Sequence, residues 1–147
     1  MHRLSRERGS ALMLMPAAVL ILVVLASIAV DFTIVRLGVR ELTALADAAG
    51  NDAATLALAR AGFDEGTVTL DERRAREIVA ATVTATASPV DDIVVVDVSS
   101  TDIDGAPGVS VTLTGTVDYV FATALPGAPT SQRIEVTAVV RVARVDP

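Results

Sequence analysis

The chain has 147 residues, 52% of them hydrophobic, and a formal net charge of −6 at pH 7. It contains no cysteine, which excludes a disulfide framework, a thiolate metal site and a cysteine nucleophile. The 12 basic residues are all Arg, and the charge is uneven: residues 1–10 carry a net +2, whereas residues 31–147 carry a net −8. Nucleic-acid binding requires clustered cations that neutralise phosphates, so this acidic part argues against it.

Residues 11–30 form an uncharged, apolar run of 20 residues. As a helix, at 1.5 Å rise per residue, this run is about 30 Å long and matches the hydrocarbon core of a bilayer. We therefore predict a transmembrane helix in contact with membrane lipid. Three arginines precede it, so the positive-inside rule places residues 1–10 in the cytoplasm and the rest of the chain outside. These basic residues are Arg3, Arg6 and Arg8.

A cleaved secretory signal is the alternative to an anchor. The basic start fits a signal, and Ser27-Ile28-Ala29 resembles a small-x-small cleavage site. Against cleavage, the apolar run is longer than the usual core of a signal peptide, and the helical pattern continues past its end. We favour the uncleaved anchor.

The helical pattern beyond residue 30 predicts a single helix from Ala11 to about Arg60, with residues 31–62 outside the membrane. Apolar residues recur there at alternating spacings of three and four, a heptad pattern. Gly38 and Gly50 lie in this stretch and would permit a bend. The predicted packing stripe comprises Phe32, Val35, Val39, Leu42, Ala46, Ala49, Ala53 and Leu56.

Two partners are possible for this stripe: the chain's own sheet, which we favour, or helices of other subunits. Different lengths of the helix can serve each purpose. We expect the stripe near Ala53 to pack on the sheet. We expect Phe32, Val35 and Val39 to contact other subunits, because they lie closest to the membrane.

Residues 63–147 are predicted to form a small α+β domain outside the membrane. Thr69 and Glu72 have the spacing of a capping box, which predicts a second helix from there to about Ala85. Its expected packing face comprises Ala75, Ile78, Val79, Thr82 and Val83.

Three strands are predicted to follow. Residues 93–100 are rich in Val, and residues 109–121 and 133–144 alternate between apolar and polar side chains, which is typical of an antiparallel sheet with one face in water. Gly115 falls on the apolar face and indicates a bulge or a close backbone approach. In residues 109–121 the apolar face comprises Val109, Val111, Leu113, Val117, Tyr119 and Phe121. In residues 133–144 it comprises Ile134, Val136, Ala138, Val140 and Val142.

The fold class is therefore α+β: a long N-terminal transmembrane-plus-amphipathic helix, a second short helix and a three-stranded antiparallel sheet. Short connections rich in Gly and Pro join the strands.

Candidate chemical sites are few. Asp102-x-Asp104-Gly105 resembles the start of a calcium loop, but the twelfth position from Asp102 is Leu113 rather than Glu, so we predict a hairpin turn. Asp91 and Asp92 are adjacent and would not converge on one substrate from a strand. We therefore predict no metal site, no cofactor, no small-molecule substrate and no enzymatic activity.

The remaining candidates for a chemical site are two charged residues at the end of the apolar run and the single histidine. Asp31 and Arg36 lie at the predicted membrane–water boundary, where we interpret them as residues that end the span. His2 is the only histidine, and its predicted cytoplasmic position separates it from the outer domain.

Four short segments in the first third of the chain resemble the TadE/TadG-like family of Flp (tight adherence) pilus-assembly proteins. They are Arg8-Gly9, Ala29-Val30-Asp31-Phe32, Arg40-Glu41-Leu42 and Ala46-Asp47-Ala48-Ala49, and together they cover about residues 8–58. In this family a basic-Gly start, an apolar helix, an Asp–aromatic pair, an Arg-x-Leu and an Ala-Asp-Ala-Ala run occur in that order.

The resemblance implies a pilin-like fold and a minor-pilin-like or assembly component of a Tad/Flp-type pilus or related secretion machine. It also implies anchoring in a bacterial cytoplasmic membrane, with other subunits of the machine as partners of the N-terminal helix. Gly9 is the processing site that the resemblance suggests, although the fifth residue after it is Leu14, where cleaved relatives carry Glu. The alternative is a membrane-tethered extracytoplasmic binding module unrelated to pili.

Overall fold

The computed structural model describes residues 7–58, 71–104 and 106–141. Helix α1 (Glu7–Leu58) is followed by helix α2 (Glu72–Ala85) and strands β1 (Asp91–Ile103), β2 (Ala106–Asp118) and β3 (Ser131–Arg141). A short 3-10 helix at Ala122–Ala124 lies between β2 and β3. The strands form one antiparallel sheet in the order β1-β2-β3, which confirms the predicted α+β class.

Helix α1 is one unbroken element of 52 residues, about 78 Å long at the usual rise. It passes through Pro16 and through both glycines that would have permitted a bend. The predicted end, at Arg60 and Gly62, lies outside the described residues, whereas the helix continues at least to Leu58.

The sheet lies against α1 at two points where the helix has no side chain. A Cβ added at Gly38 would lie 2.5 Å from Cγ2 of Val117, and one added at Gly50 would lie 2.8 Å from Cγ2 of Val140. Both glycines therefore permit close packing of helix on sheet, about 18 Å apart along the helix axis.

These two contacts also fix the direction of the strands. Val111 lies beside Gly50 and Val117 beside Gly38, so β2 runs antiparallel to α1 and toward its N-terminal half. Strand β3 returns from Ile134, beside Gly38, to Val140, beside Gly50. The β2–β3 connection consequently lies at the end of the sheet nearest the apolar run of α1, and the β1–β2 hairpin lies at the opposite end.

The core is formed by small residues of the helix and larger residues of the strands. Helix α2 packs on α1 and β1, burying Ala75, Ile78 and Val79 as predicted. The residues of α1, β2 and β3 that are buried in this core are Leu42, Leu45, Ala46, Ala49, Ala53, Ala54, Ala57, Val109, Val111, Leu113, Val117, Ile134, Val136 and Ala138.

The start of α2 differs from the prediction. The N-cap is Asp71, whose carboxylate accepts the N–H of Arg74 at 3.0 Å, and not Thr69, which lies outside the described residues. Glu72 does not reach back to a cap, because its Oε1 accepts the backbone N–H and the hydroxyl of Ser100 on β1. Asp71 satisfies the free amide three residues after it, that of Arg74, whereas Thr69 as N-cap would have satisfied that of Glu72. The predicted end at Ala85 is confirmed.

Strand β2 is shorter at its end than predicted. It stops at Asp118, so Tyr119 and Phe121 do not continue the apolar face. Phe121 has an αR backbone (φ −98°, ψ −30°) and is 45% exposed. Apolar and polar residues still alternate in the sequence after Asp118, but the backbone there is no longer extended and turns to enter the 3-10 helix. For β3, the described part ends at Arg141, and the predicted residues 142–144 lie outside it.

The hairpin and the glycine of β2 follow the predictions. Ile103 pairs with Ala106 across the β1–β2 hairpin, and Asp104, directly after Ile103, has φ of +54°. A Cβ at Gly115 would collide with the side chain of Val90, and the register of β1 shifts twice between Asp91 and Asp97. The predicted close approach at Gly115 is therefore confirmed, and the bulges lie on the partner strand.

Candidate functional site

The carboxylate of Asp31 binds three consecutive backbone amides of the β2–β3 connection. Its Oδ1 accepts the N–H groups of Val120 at 2.9 Å and Phe121 at 3.0 Å, and its Oδ2 accepts the N–H of Ala122 at 2.8 Å. Asp31 is only 8% exposed. We refer to these three hydrogen bonds as the Asp31 clasp. They join the first residue after the apolar run to the end of the sheet.

The local sequence explains why these amides are free to bind a carboxylate. The ladder ends at Asp118, and a bond from the N–H of Tyr119 to the carbonyl of Thr130, at 2.9 Å, closes the connection behind it. Residues 120–122 then enter the 3-10 helix, whose first N–H groups have no partner within it. Successive amides of this kind form a concavity that favours an anion. We call residues 119–130 the boundary loop.

These hydrogen bonds also affect the ionisation of Asp31. The N–H of Phe121 contributes most, with those of Val120 and Ala122, and together they lower the pKa of Asp31 below its usual value of 3.8, although desolvation of the carboxylate opposes the shift. The folded chain therefore favours the ionised carboxylate. Hydrogen bonds to an ionised acceptor are stronger than those between neutral groups.

Asp31→Asn should weaken the clasp. An amide has one acceptor oxygen, so an NH₂ group would oppose at least one of the three backbone donors. We expect a lower thermal midpoint of the purified full chain in detergent micelles, and faster hydrogen exchange at the amides of residues 120–122. Asp47→Asn is the control, because Asp47 is an exposed residue of the same helix. Equal midpoints for the two variants would contradict this role of Asp31.

The same pair of variants predicts a pH dependence. Because the pKa of Asp31 is lowered in the folded state, the stability that the clasp contributes is fully present above pH 3.8 and is lost as the pH falls through the lower folded-state value. The difference in thermal midpoint between wild type and Asp31→Asn should be constant from neutral pH down to that range and shrink below it. A difference that grows on acidification would contradict the assignment.

From the sequence, Asp31 was expected only to end the predicted membrane span, and that interpretation is incomplete. Asp31 does follow the apolar run directly, but it also holds the end of the sheet. Arg36, the other charge assigned to this boundary, lies over the ring of Phe32 with its guanidinium carbon 4.9 Å from the ring centroid.

Toward the N-terminus from Asp31, α1 leaves the core. Residues 14–30, here called the apolar half, are not buried by the sheet or by α2. The helix is long and apolar enough to cross a membrane. The large side chains of the apolar half are 42–70% exposed. They are Leu14, Met15, Val19, Leu20, Ile21, Leu22, Val23, Val24, Leu25, Ile28 and Val30.

The predicted packing stripe agrees with the core face of α1 only in its middle. Leu42, Ala46, Ala49 and Ala53 are fully buried, but Phe32 and Leu56, at the two ends, are 59% and 56% exposed. A seven-residue repeat drifts by about 20° per heptad relative to a straight helix, so over its length the stripe leaves the buried face at both ends.

No partner chain tests the expectation that Val35 and Val39 contact other subunits, but the structure places both against the chain's own core. Both are half-buried and pack against the chain's own core, together with Ile34. Phe32 alone of that group remains exposed, so it is the one member still available to a partner. A polar substitution at Val39 should therefore destabilise the fold, contrary to what its position near the membrane suggested.

The remaining sequence candidates do not form a chemical site. Asp104, between β1 and β2, pairs with Arg141 at the end of β3 at 2.9 Å. Asp91 and Asp92 lie at the start of β1, where Asp92 has φ of +49°. Within the described ranges, no group of three or more His, Cys, Asp or Glu side chains could hold a metal ion. Gly9 lies within α1, and His2 lies outside the described residues.

Comparison with known proteins adds no relative: no family model, curated protein or solved structure matches the chain. We therefore infer function from three features of the chain: the apolar half of α1, the clasp and the surface beside it.

Proposed function

We propose that the chain is a membrane-anchored structural component, minor-pilin-like or an assembly protein, of a Tad/Flp-type pilus or a related secretion machine. The observation that carries the proposal is the division of α1. One continuous helix has an exposed apolar half and a second half that forms the core of a small sheet domain. We use the name sheet domain for the described residues from Asp31 onward.

Exposure of the apolar half supports the membrane anchor. Large aliphatic side chains surround the helix on all sides over residues 14–30, and a contiguous apolar surface of this size requires a lipid or protein environment. Because α1 continues without a break into the core, the anchor and the sheet domain are joined rigidly and not through a flexible linker. The basic residues before the helix support a cytoplasmic N-terminus and an extracytoplasmic sheet domain.

The segments that resemble the TadE/TadG-like family have defined places in the fold. Asp31 forms the clasp, and Leu42, Ala46 and Ala49 are fully buried. These positions therefore shape the fold itself, which supports a shared architecture with that family. Because these residues are buried, partners would contact the exposed residues of the same helix instead.

The runner-up is a membrane-tethered binding module unrelated to pili. In that case partners contact only the sheet domain, whereas a pilus component uses the apolar half of α1 for lateral packing. Photo-crosslinking in the native membrane separates these functions. A photoreactive residue at Leu20, which is 64% exposed, should crosslink to pilus or platform subunits.

The matched control for this experiment is a photoreactive residue at Val96 on β1, which is 54% exposed. Protein crosslinks from Val96 combined with only lipid adducts from Leu20 would favour the binding module. A reporter enzyme fused after Pro147 tests the topology separately. It should be active only outside the cytoplasm, and activity confined to the cytoplasm would contradict the proposed orientation.

A further inference from the structure

The boundary loop presents an uncharged, apolar surface. Residues 119–130 include no Asp, Glu, Arg or Lys, although residues 31–147 as a whole carry a net charge of −8. Three large side chains of this loop are exposed: Val120 by 57%, Phe121 by 45% and Leu125 by 62%. They form a concentrated apolar patch on an otherwise acidic domain.

The fold places this patch beside the apolar half of α1. Strand β2 runs along α1 from Gly50 to Gly38 and continues toward Asp31, so the loop lies at the end of the sheet that is nearest to residue 30. The clasp fixes its position, because Val120, Phe121 and Ala122 are hydrogen-bonded to the first residue after the apolar run. If residues 11–30 span a bilayer, the loop lies at the outer surface of that bilayer.

The loop is also held in a defined shape. The N–H of Ala124 binds the carbonyl of Phe121 at 3.0 Å, and the N–H of Ala128 binds the carbonyl of Leu125 at 3.1 Å. Gly127, with φ of +81°, completes the second of these turns beside Pro126. Leu125 is therefore exposed on an ordered turn, and little conformational freedom remains to be lost when it enters another environment.

We propose that the boundary loop is a second membrane contact: it lies in the interfacial layer of the outer leaflet, with Phe121 and Leu125 inserted among the lipids. This inference rests on the proposed membrane anchor. Interfacial segments bury Phe and Leu side chains at about this depth, and Phe32, with the Arg36 guanidinium over its ring, lies on the adjoining turns of α1. The absence of acidic residues from the loop matters, because a carboxylate there would be repelled by lipid phosphates.

A lipid surface fits the patch better than a protein does, because the patch is continuous with the anchor. The helix itself carries the loop to the bilayer, so insertion requires no additional association step. Two contacts, helix and loop, also restrict rotation of the sheet domain relative to the membrane plane.

Single-tryptophan fluorescence tests the inference directly, because the chain has no Trp of its own. Three variants of the full chain are reconstituted into vesicles of phosphatidylcholine, with or without brominated acyl chains: Leu125→Trp, Val139→Trp and Leu22→Trp. Val139 is the matched control, since it is 52% exposed on β3, next to Val140 and so near the end of the sheet away from the anchor. Leu22 reports on the anchor alone.

The fluorescence emission maximum of Leu125→Trp should lie at a shorter wavelength than that of a tryptophan in water, and lipids brominated near the headgroup should quench it. The emission of Val139→Trp should be the same with and without bromination. Quenching of Leu22→Trp without any quenching of Leu125→Trp would overturn the loop insertion and leave the anchor intact. Loss of quenching at Leu22 would instead overturn the anchor. A blue-shifted but unquenched Leu125→Trp would show that protein and not lipid covers the patch, which also contradicts lipid contact.

Discussion

Replacing Leu22 with Arg should weaken membrane insertion of α1 by about 3–4 kcal/mol, the difference between these residues at the centre of a spanning helix on insertion scales. Leu22 lies at the middle of the apolar half and is 65% exposed in the folded chain, so no core contact is lost. The measurement is the fraction of the chain that remains with the membrane after an alkaline wash, which should fall for this variant.

Thr33→Arg is the control for this substitution. Thr33 is an exposed residue of the same helix, just beyond the apolar half, where a charge needs no transfer into hydrocarbon. This variant should remain in the membrane like the wild type. Mature chain that begins near Val30 and is found free in the medium would instead support the secretory-signal alternative.

Ala49→Leu should destabilise the sheet domain by about 1–3 kcal/mol, the usual range for overpacking a filled core. Ala49 is fully buried, and its neighbour Gly50 already approaches Val140 so closely that a Cβ there would be 2.8 Å away. A longer side chain can fit only if the helix and the sheet separate. Thermal unfolding of the full chain in detergent micelles should show the effect as a lower midpoint.

Ala48→Leu provides the comparison, because the substitution and the helix are the same and only burial differs. Ala48 is exposed, so its replacement should change the free energy of unfolding by no more than about 0.5 kcal/mol. If Ala49→Leu kept the wild-type midpoint but failed to assemble with partners, the alanine face of α1 (Ala46, Ala49 and Ala53) would serve other subunits, and the packing described above would be wrong.

The helices and strands of this fold were predictable because each is specified by a pattern of residues that are close together in the sequence. The continuity of α1, the end of α2 at Ala85 and the hairpin at Asp104 all follow from patterns within a few residues. The N-cap was misplaced because Thr69 and Asp71 both carry a suitable oxygen, and sequence spacing does not distinguish them.

Predictions that depend on distant residues were less successful. The role of Asp31 was missed because its partners are backbone amides, which have no signature in the side-chain sequence, and they lie 89 residues further along the chain. The packing of Val35 and Val39 on the chain's own core was not predicted, because the heptad pattern shows which residues share a face but not how far the sheet extends along that face. Gly38 and Gly50 were interpreted as weak points of the helix, whereas they are sites of close packing.

The separation of Asp31 from Val120 has a consequence for biosynthesis. Val120 lies 89 positions after Asp31, so at about 5–20 residues per second a ribosome needs roughly 4–18 s to extend the chain from one to the other. In the later part of that interval, once Ala53 has been added, the alanine face of α1 is complete before β2 and β3 are there to cover it. The nascent chain must therefore keep an exposed, weakly apolar helix unaggregated for seconds. A face of alanines is suited to this delay, because it presents far less apolar area to water or to a neighbouring chain than leucines would.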